Sequence, residues 1–262
     1  MMSSIRQLLS TLKLRGMEEN IDLLLAESEK QGLSTTETLL NMLQEEFRYQ
    51  QERSMQSRIK KAKIPNDWSL KTFPFDQQPG VNKLQIQNIS DLSFIERHEN
   101  IVFIGKPGTG KTGIASGLLR QGLINGYRGL FYDAQKLLED LYSSLADKTT
   151  TKFITKLSSI SILLIDELGY LTLTHEQCNA FFKLMSMRYS NKKTTLITTN
   201  LEYPKWYDLF QSKSLVDAML DRLKHHCITI HIEGPTLRDP SNEQKAAKRG
   251  KTKKSSKDAD KK

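Results

Sequence analysis

The residues best suited to chemistry in this sequence form a glycine-rich segment. Gly105-Lys106-Pro107-Gly108-Thr109-Gly110-Lys111-Thr112 matches the pattern G-x-x-x-x-G-K-[ST] in full. Glycines let successive backbone N–H groups turn inward around phosphate oxygens, where side chains would obstruct them. Lys111 can reach the β- and γ-phosphates of a nucleotide, and the Thr112 hydroxyl can coordinate Mg²⁺. The segment therefore predicts a site for ATP and Mg²⁺.

Two further motifs supply groups that such a site needs. Asp166 and Glu167 directly follow the apolar run Ile162–Ile165. Asp166 is predicted to hold Mg²⁺ directly or through water, and Glu167 to polarise a water for attack on the γ-phosphate. Adjacent carboxylates after a strand can also cap a helix, but the complete glycine motif upstream disfavours that reading. Asn200 follows the next strand and is predicted to orient the water, although Asn at such a position is otherwise a turn residue.

Alternating strands and helices are predicted to position these motifs. Strands are predicted at 101–104, 130–132, 160–165, 194–198 and 227–232, and the first and third of these are apolar runs. Helical periodicity lies between them, with Thr174 and Gln177 as a capping pair for one helix. This order predicts an α/β fold, a P-loop NTPase domain whose mostly parallel sheet is covered by helices on both faces.

The chain divides into four predicted regions. Residues 1–64 show apolar residues at helical spacing and form a small helical domain, with Ser34 and Glu37 as a capping box for its third helix. Residues 65–99, rich in Pro and aromatic residues, form a connector that packs on the next domain. Residues 100–240 form the ATPase domain. Residues 241–262 form a basic tail that cannot bury a core and is predicted to be disordered.

Composition narrows the class of protein. The net charge is +9, but nine Lys or Arg against two Asp lie in residues 245–262, which leaves the rest near +2. The tail is either an electrostatic arm for phosphates or a solvated terminus. No run of about 18 apolar residues occurs, so no membrane span is predicted. Two cysteines without metal-ligand spacing and no secretion signal predict a cytoplasmic protein.

The motifs in this order resemble a known family. They are similar to those of the AAA+ ATPases, in the IstB/DnaC-like branch, and within it to the IstB helper ATPases of bacterial insertion sequences. The resemblance runs from about Ser3 to Arg238. In addition to the glycine motif, the segments that carry it are Leu12–Met17, Phe94–Arg97, Asp166–Leu171, Arg188-Tyr189, Thr199–Leu201, Trp206 and Leu220–His226.

The resemblance implies an ASCE-type site completed by arginines. In this family subunits assemble side by side, and an arginine of one subunit stabilises phosphoryl charge in its neighbour's site. By position Arg222 resembles that trans arginine, and Arg188 is a rival for the role. Arg238 resembles an arginine that contacts the nucleotide of its own subunit.

The resemblance also implies partners. They are a homo-oligomer with ATP at subunit interfaces, duplex DNA, and the transposase of the same element, which would dock on the N-terminal helices. Contacts to DNA are expected mostly on the backbone, with little sequence preference, because deforming DNA needs grip rather than base readout. Candidate DNA-contacting lysines are Lys136, Lys148, Lys152 and Lys156.

Three other functions remain open at this point. A replicative helicase loader of the DnaC type would share the ATPase domain but would dock on a helicase and prefer single strands. A P-loop metabolite kinase would need arginines in a mobile lid and has less use for an Asp-Glu pair followed by Asn. An ATP switch that does not hydrolyse conflicts with the presence of both Lys111 and Glu167.

Overall fold

A computed structural model describes residues 2–169, 173–210 and 212–238 of the chain. The end of the Asp166 motif at 170–171 and the basic tail, for which disorder is predicted, lie outside the described residues. The chain separates into two compact units, the first Met1–Lys61 and the second beginning at Ala62. Within the described ranges, no helix is both long and apolar enough to cross a membrane.

The first unit is helical. Its helices are α1 (Met2–Thr11), α2 (Arg15–Gln31) and α3 (Thr35–Ala62). Leu9, Met17 and Ile21 form its small buried core. The predicted capping box is present, because the backbone N–H of Ser34 donates to the Glu37 carboxylate and the N–H of Glu37 donates to the Ser34 hydroxyl. Both contacts satisfy backbone donors that a helix start leaves free.

The second unit alternates strands and helices from residue 100 onward. Two short helices come first, and the remaining elements follow in order: α4 (Lys83–Ile89), α5 (Ser93–Glu96), β1 (Asn100–Gly105), α6 (Lys111–Ile124), β2 (Gly129–Asp133), α7 (Ala134–Ala146), α8 (Thr150–Ser158), β3 (Ile162–Leu168), α9 (His175–Ser190), β4 (Thr194–Thr199), α10 (Trp206–Phe210), α11 (Lys213–His225) and β5 (Cys227–Ile232).

The five strands form one parallel sheet in the order β2-β3-β4-β1-β5. The strand that carries the glycine motif, β1, is thus separated by β4 from the strand that carries Asp166. This is the order expected of the predicted ASCE-type fold. Since parallel strands end at the same edge, the residues after β1, β3 and β4 meet there.

Alternate residues of β3 show that both faces of the sheet are covered. Leu163 and Ile165 belong to the buried cluster formed with helices α7 to α11. Ile162 points the other way, because its Cδ1 lies 2.3 Å from where a Cβ on Gly122 of α6 would be. A strand segment buried on both faces must be apolar at every position, as Ile162–Ile165 is.

The structure differs from the sequence predictions at several element bounds. The third helix, which carries no Gly or Pro before Pro65 and so could run to Ile64, ends at Ala62. The third strand begins at Ile162 rather than Ile160. Helices α4, α5 and α8 were not predicted. They are short, and α8 (TTKFITKLS) contains β-branched residues that lower helix propensity. Burial of Ile154 and Leu157 stabilises it instead.

Candidate functional site

The glycine motif forms the turn between β1 and α6. β1 ends at Gly105 and α6 begins at Lys111. Gly108 and Gly110 have φ of 78° and 91°, values that favour glycine. A Cβ on Gly105 would lie 2.4 Å from the carbonyl oxygen of Ile232. The loop and the N-terminal end of α6 line one cavity, the arrangement that phosphate binding by backbone N–H groups and a helix N-terminus requires.

Lys111 is held against this loop. Its Nζ donates to the carbonyl oxygens of Gly105 and Lys106, each at 2.8 Å. The residue is 9% exposed. Burial lowers the pKa of its ammonium, while the carboxylates of Asp166 and Glu167 act in the opposite direction. Phosphate oxygens would offer this ammonium charge-assisted hydrogen bonds in place of neutral carbonyl contacts.

Asp166 lies beside the start of α6. Its Oδ1 accepts from the hydroxyl of Thr112 at 2.9 Å and from that of Thr198 at 2.5 Å. It is 6% exposed, and burial raises the pKa of its carboxyl despite the two hydroxyl donors. The structure brings together the two residues predicted to bind the metal. Sequence reasoning assigned no role to Thr198, whose hydroxyl orients the carboxylate.

The oxygen donors of Thr112 and Asp166 suit Mg²⁺, which prefers oxygen ligands. In the described part of the chain, no group of three or more His, Cys, Asp or Glu side chains is arranged to hold a metal. These two residues would therefore leave the other coordination positions to phosphates and water, the usual pattern for Mg²⁺ at a nucleotide.

Glu167 is turned away from Asp166 by the backbone. Its φ is 59°, and the pairing of β3 with β4 is irregular between Ile165 and Leu168. The N–H of Glu167 donates to the Thr198 hydroxyl at 2.9 Å. Irregularities of this kind re-aim side chains next to active sites. Here the result is a buried carboxylate followed by an exposed one.

Asn200 follows β4, the strand between the glycine motif and Asp166. Its Oδ1 is buried and accepts no hydrogen bond from any described residue. A Cβ on Gly169 would lie 2.6 Å from that oxygen, so glycine at 169 leaves room for the amide. A buried polar atom without a partner is costly, which makes Asn200 a candidate to contact a water or a ligand.

A cavity of about 490 Å³ lies at the glycine motif. Its polar wall contains Lys111, Thr112, Glu167, Asn200 and Arg238. Its apolar wall contains Trp68, Phe73, Pro74 and Leu237, which sequence reasoning did not assign to the site. The connector passes close to α6 because α6 has glycine where the connector crosses it. A Cβ on Gly113 would lie 3.2 Å from the Trp68 ring.

Arg238 lies at the rim of the same cavity. Its guanidinium is 3.8 Å from the Glu167 carboxylate, and both side chains are exposed. An exposed ion pair of this kind contributes little to stability. The contact does place an arginine next to the predicted catalytic carboxylate of the same chain.

A family model described as "IstB-like ATP binding protein" matches residues 7–246. The match covers most of the chain, including every motif described above. The chain belongs to the IstB-like ATP-binding family. This confirms the resemblance stated from the sequence.

Individual relatives come from insertion sequences. A Pseudomonas aeruginosa protein, named as an ATP-binding protein of insertion sequence IS21, is 33% identical over 237 residues, 90% of this chain and 89% of its own length. The corresponding IS232 protein of Bacillus thuringiensis subsp. berliner is 32% identical over 241 residues, 91% of this chain and 96% of its own length.

The fold is also that of solved P-loop proteins. The crystal structure of the DnaC helicase loader matches with a TM-score of 0.50 and 26% sequence identity, over 58% of this chain and 88% of that chain. The prediction of an AAA+ α/β domain preceded by helices is confirmed.

Arg188 does not lie where a trans arginine must lie. It is 1% exposed, and its guanidinium donates to the Thr195 hydroxyl and to three carbonyl oxygens, those of Leu157, Ile160 and Thr194. Burial lowers its pKa to about 9, so it stays charged at neutral pH. Arg188 joins α9 to β4 and to the end of α8, and its candidacy as the trans arginine was wrong.

Arg222 is partly exposed on α11. Its guanidinium lies 5.2 Å from the centre of the Phe182 ring and donates to the Ala218 carbonyl at 3.1 Å. It is not among the described residues that line the nucleotide cavity. The geometry therefore does not bring Arg222 to the site of its own chain.

The four candidate DNA-contacting lysines are exposed, but they are not equivalent. Lys136 pairs with Glu139 and Asp140 on the same helix, at 3.8 Å and 3.0 Å. Lys148, Lys152 and Lys156 form no ion pair with any residue that the structure describes. The last three are thus better suited to meet phosphates than Lys136.

Proposed function

We propose that this protein is a Mg²⁺-dependent ATPase that assembles on duplex DNA and assists the transposase of an insertion sequence. The observation that carries the proposal is one cavity at the glycine motif, lined by Lys111, Thr112 and Glu167, with Asp166 hydrogen-bonded to Thr112. The names of its relatives connect this ATPase with insertion sequences. The N-terminal helices, residues 1–64, would dock the transposase.

The phosphates are proposed to sit over the glycine motif. Lys111 would exchange the carbonyls of Gly105 and Lys106 for oxygens of the β- and γ-phosphates. Thr112 and Asp166 would hold Mg²⁺, which neutralises charge on the phosphates when bound. The backbone of Gly105 to Thr112 would surround the triphosphate, with N–H donors from every residue except Pro107.

Glu167 and Asn200 would act on the attacking water. Glu167 takes a proton from the water as the water oxygen forms a bond to the γ-phosphorus. The bond from the γ-phosphorus to the bridging oxygen breaks, and ADP and phosphate leave. The unpartnered Oδ1 of Asn200 would accept a hydrogen bond from that water and orient it.

The base would pack against the apolar wall of the cavity. Trp68 and Phe73 present aromatic rings beside α6, and an aromatic ring stacked on a base contributes about 1–3 kcal/mol. The connector would thus belong to the nucleotide site.

A second subunit would complete the site. Arg222 does not line its own chain's cavity, so a role at a phosphate requires a neighbouring chain. An arginine supplied in this way stabilises charge on the transferred phosphoryl group. Arg238 would serve the site of its own chain, where it already lies beside Glu167. ATP would then bind at interfaces of a homo-oligomer.

The oligomer would grip the backbone of duplex DNA. Lys148, Lys152 and Lys156 are the proposed phosphate contacts, since these exposed lysines have no carboxylate partner among the described residues. Contacts of this kind favour DNA deformation with little sequence preference.

The test measures ATP hydrolysis and assembly size with and without long duplex DNA. We expect duplex DNA to stimulate turnover by the native chain, Lys111→Ala to abolish it, and Glu167→Gln to accumulate an ATP-bound oligomer on the duplex. The matched control is Glu27→Gln, which changes an exposed glutamate on α2 and should leave turnover unchanged.

Other outcomes would replace the proposal. Binding to single strands alone would make the protein a helicase loader, the function printed for the DnaC structure. Phosphoryl transfer to a metabolite by a monomer would make it a kinase. Folded protein without affinity for nucleotide in Mg²⁺ buffer would end every version of the proposal.

A further inference from the structure

The chain crosses the glycine motif a second time after β5. Residues 233–238, here called the strap, follow Ile232 and lie directly on the loop. The backbone N–H of Leu237 donates to the carbonyl oxygen of Gly108 at 2.8 Å. A Cβ on Gly108 would lie 2.1 Å from the Thr236 hydroxyl. The strap and the loop are therefore in backbone contact.

One buried side chain connects the two segments. Gln78 is 0% exposed, and its Nε2 donates to the carbonyl oxygen of Thr109 at 3.0 Å and to that of Pro235 at 2.9 Å. An amide nitrogen has two protons, so both are used. One of them is bound to the loop and the other to the strap.

Two glycines allow the strap to approach this closely. A Cβ on Gly80 would lie 1.3 Å from the Glu233 carbonyl oxygen, and one on Gly234 would lie 1.7 Å from Oε1 of Gln78. Any larger residue at these positions would push the segments apart. The contact between Gln78 and the strap thus depends on close backbone packing on both sides.

The strap leads directly into the nucleotide cavity. Leu237 and Arg238 line it, and the Arg238 guanidinium lies 3.8 Å from Glu167. The N–H of Arg238 donates to the Thr236 hydroxyl at 3.2 Å, which holds the end of the strap in a turn. The position of Arg238 at the catalytic carboxylate therefore follows from where the strap lies.

We infer that Gln78 is a positioning residue for hydrolysis. Because it donates to the carbonyl oxygens of both Thr109 and Pro235, Gln78 holds the strap on the glycine motif and so keeps Arg238 beside Glu167. Gln78 itself does not line the cavity, so it acts through Arg238. The inference deepens the proposed function and rests on it. A displacement of about 1 Å in such a group can lower turnover about a hundredfold.

The kinetic test uses Gln78→Leu, which keeps much of the side-chain volume but removes both donors. We expect kcat to fall at least about tenfold, with KM for ATP changed less than threefold because Lys111 and the loop glycines remain. Arg238→Ala should lower kcat by a similar factor. The double variant should be no slower than the slower single variant, since both changes remove the same contact. Multiplying losses in the double variant would overturn the inference.

Controls separate positioning from a general structural loss. Gln87→Ala changes an exposed glutamine on α4 and should match the native chain. Gly234→Ala places a Cβ against Gln78 and unseats the strap while leaving Gln78 intact, so it should reproduce the kcat loss. This second variant decides the matter if Gln78→Leu fails to fold. Native turnover in Gly234→Ala would contradict the inference.

A protease readout does not depend on ATP hydrolysis. Trypsin cleavage after Arg238, followed by mass spectrometry, should be at least about tenfold faster in Gln78→Leu and Gly234→Ala than in the native chain or Gln87→Ala. If the native chain hydrolyses no ATP but shows this pattern, the proposed function fails and the seating of the strap by Gln78 stands. If the native chain hydrolyses ATP and cleavage is equal in all four proteins, the inference fails and the proposed function stands.

Discussion

Replacing Arg188 with Ala tests whether this residue belongs to the core or to an intersubunit site. Its guanidinium bonds three carbonyl oxygens and the Thr195 hydroxyl of its own chain, and no carboxylate among the described residues pairs with it. The truncation leaves these acceptors without their donor inside the protein. Bulk water does not replace the lost donor, because the position is 1% exposed.

The expected magnitude follows from those bonds. A buried acceptor left without a partner costs about 1–3 kcal/mol, and removal of the guanidinium offsets part of this by relieving the burial of an unpaired charge. We expect a net loss of about 4 kcal/mol, a large share of the roughly 5–15 kcal/mol that stabilises a typical domain. The unfolding temperature should then fall by about 10 °C.

The assay is thermal and urea unfolding of the native chain, Arg188→Ala and Arg222→Ala. Arg222 is the matched control, since it is partly exposed and stacks on Phe182. Its removal should cost less than about 1 kcal/mol. The reasoning is refuted if Arg188→Ala unfolds at the native temperature yet depresses ATP turnover when mixed with native subunits. That pair of results would return Arg188 to the role of trans arginine.

Four further results are expected. Burial raises the pKa of Asp166 above its ordinary value, so native stability is greatest in acid and falls as pH rises through the raised pKa. Asp166→Asn should therefore unfold at a higher temperature than the native chain at neutral pH and lose that advantage in acid. It should also show no Mg²⁺-dependent turnover. Trp68 is 36% exposed and the other tryptophan, Trp206, is 0% exposed. ATP should therefore change the intrinsic fluorescence of the native chain but not that of Trp68→Phe, and Trp68→Ala should weaken ATP binding about tenfold. An unchanged fluorescence spectrum of the native chain would remove Trp68 from the site. Adding Arg222→Ala subunits to native ones should depress turnover per native subunit, whereas simple dilution would exclude a trans role. Deleting 245–262 should reduce the salt dependence of DNA binding if the tail contacts phosphates, and an equal slope would make it inert.

The parallel sheet was accessible from the sequence because strand and helix segments alternate, and because the motifs at Gly105–Thr112, Asp166 and Asn200 each follow a strand. The fully buried run at Ile162–Ile165 required helices on both faces. Helices α4, α5 and α8 were missed because short segments carry too few periodic positions to be distinguished from loops. Their helicity follows from burial of Ile86, Phe94 and Ile154 against the rest of the second unit.

The two candidate trans arginines show that position in the sequence does not predict whether a side chain is buried. Arg188 and Arg222 both lie near the ends of helices that precede strands, and nothing in their neighbours distinguishes a buried guanidinium from an exposed one. The structure separates them, because Arg188 points toward β4 and the end of α8. Burial is a property of packing between elements distant in the chain, and it cannot be read from the residue type.

The sequence by itself determined the family, the parallel sheet and the residues of the phosphate loop, since that loop is contiguous and its chemistry depends on local backbone geometry. Only the tertiary structure decided that Thr198 orients Asp166, that Trp68 and Phe73 face the cavity, and that Gln78 joins the strap to the loop. These contacts join residues between 31 and 157 positions apart. No local sequence pattern predicts contacts over such separations. These contacts form only when the sheet and its connector fold.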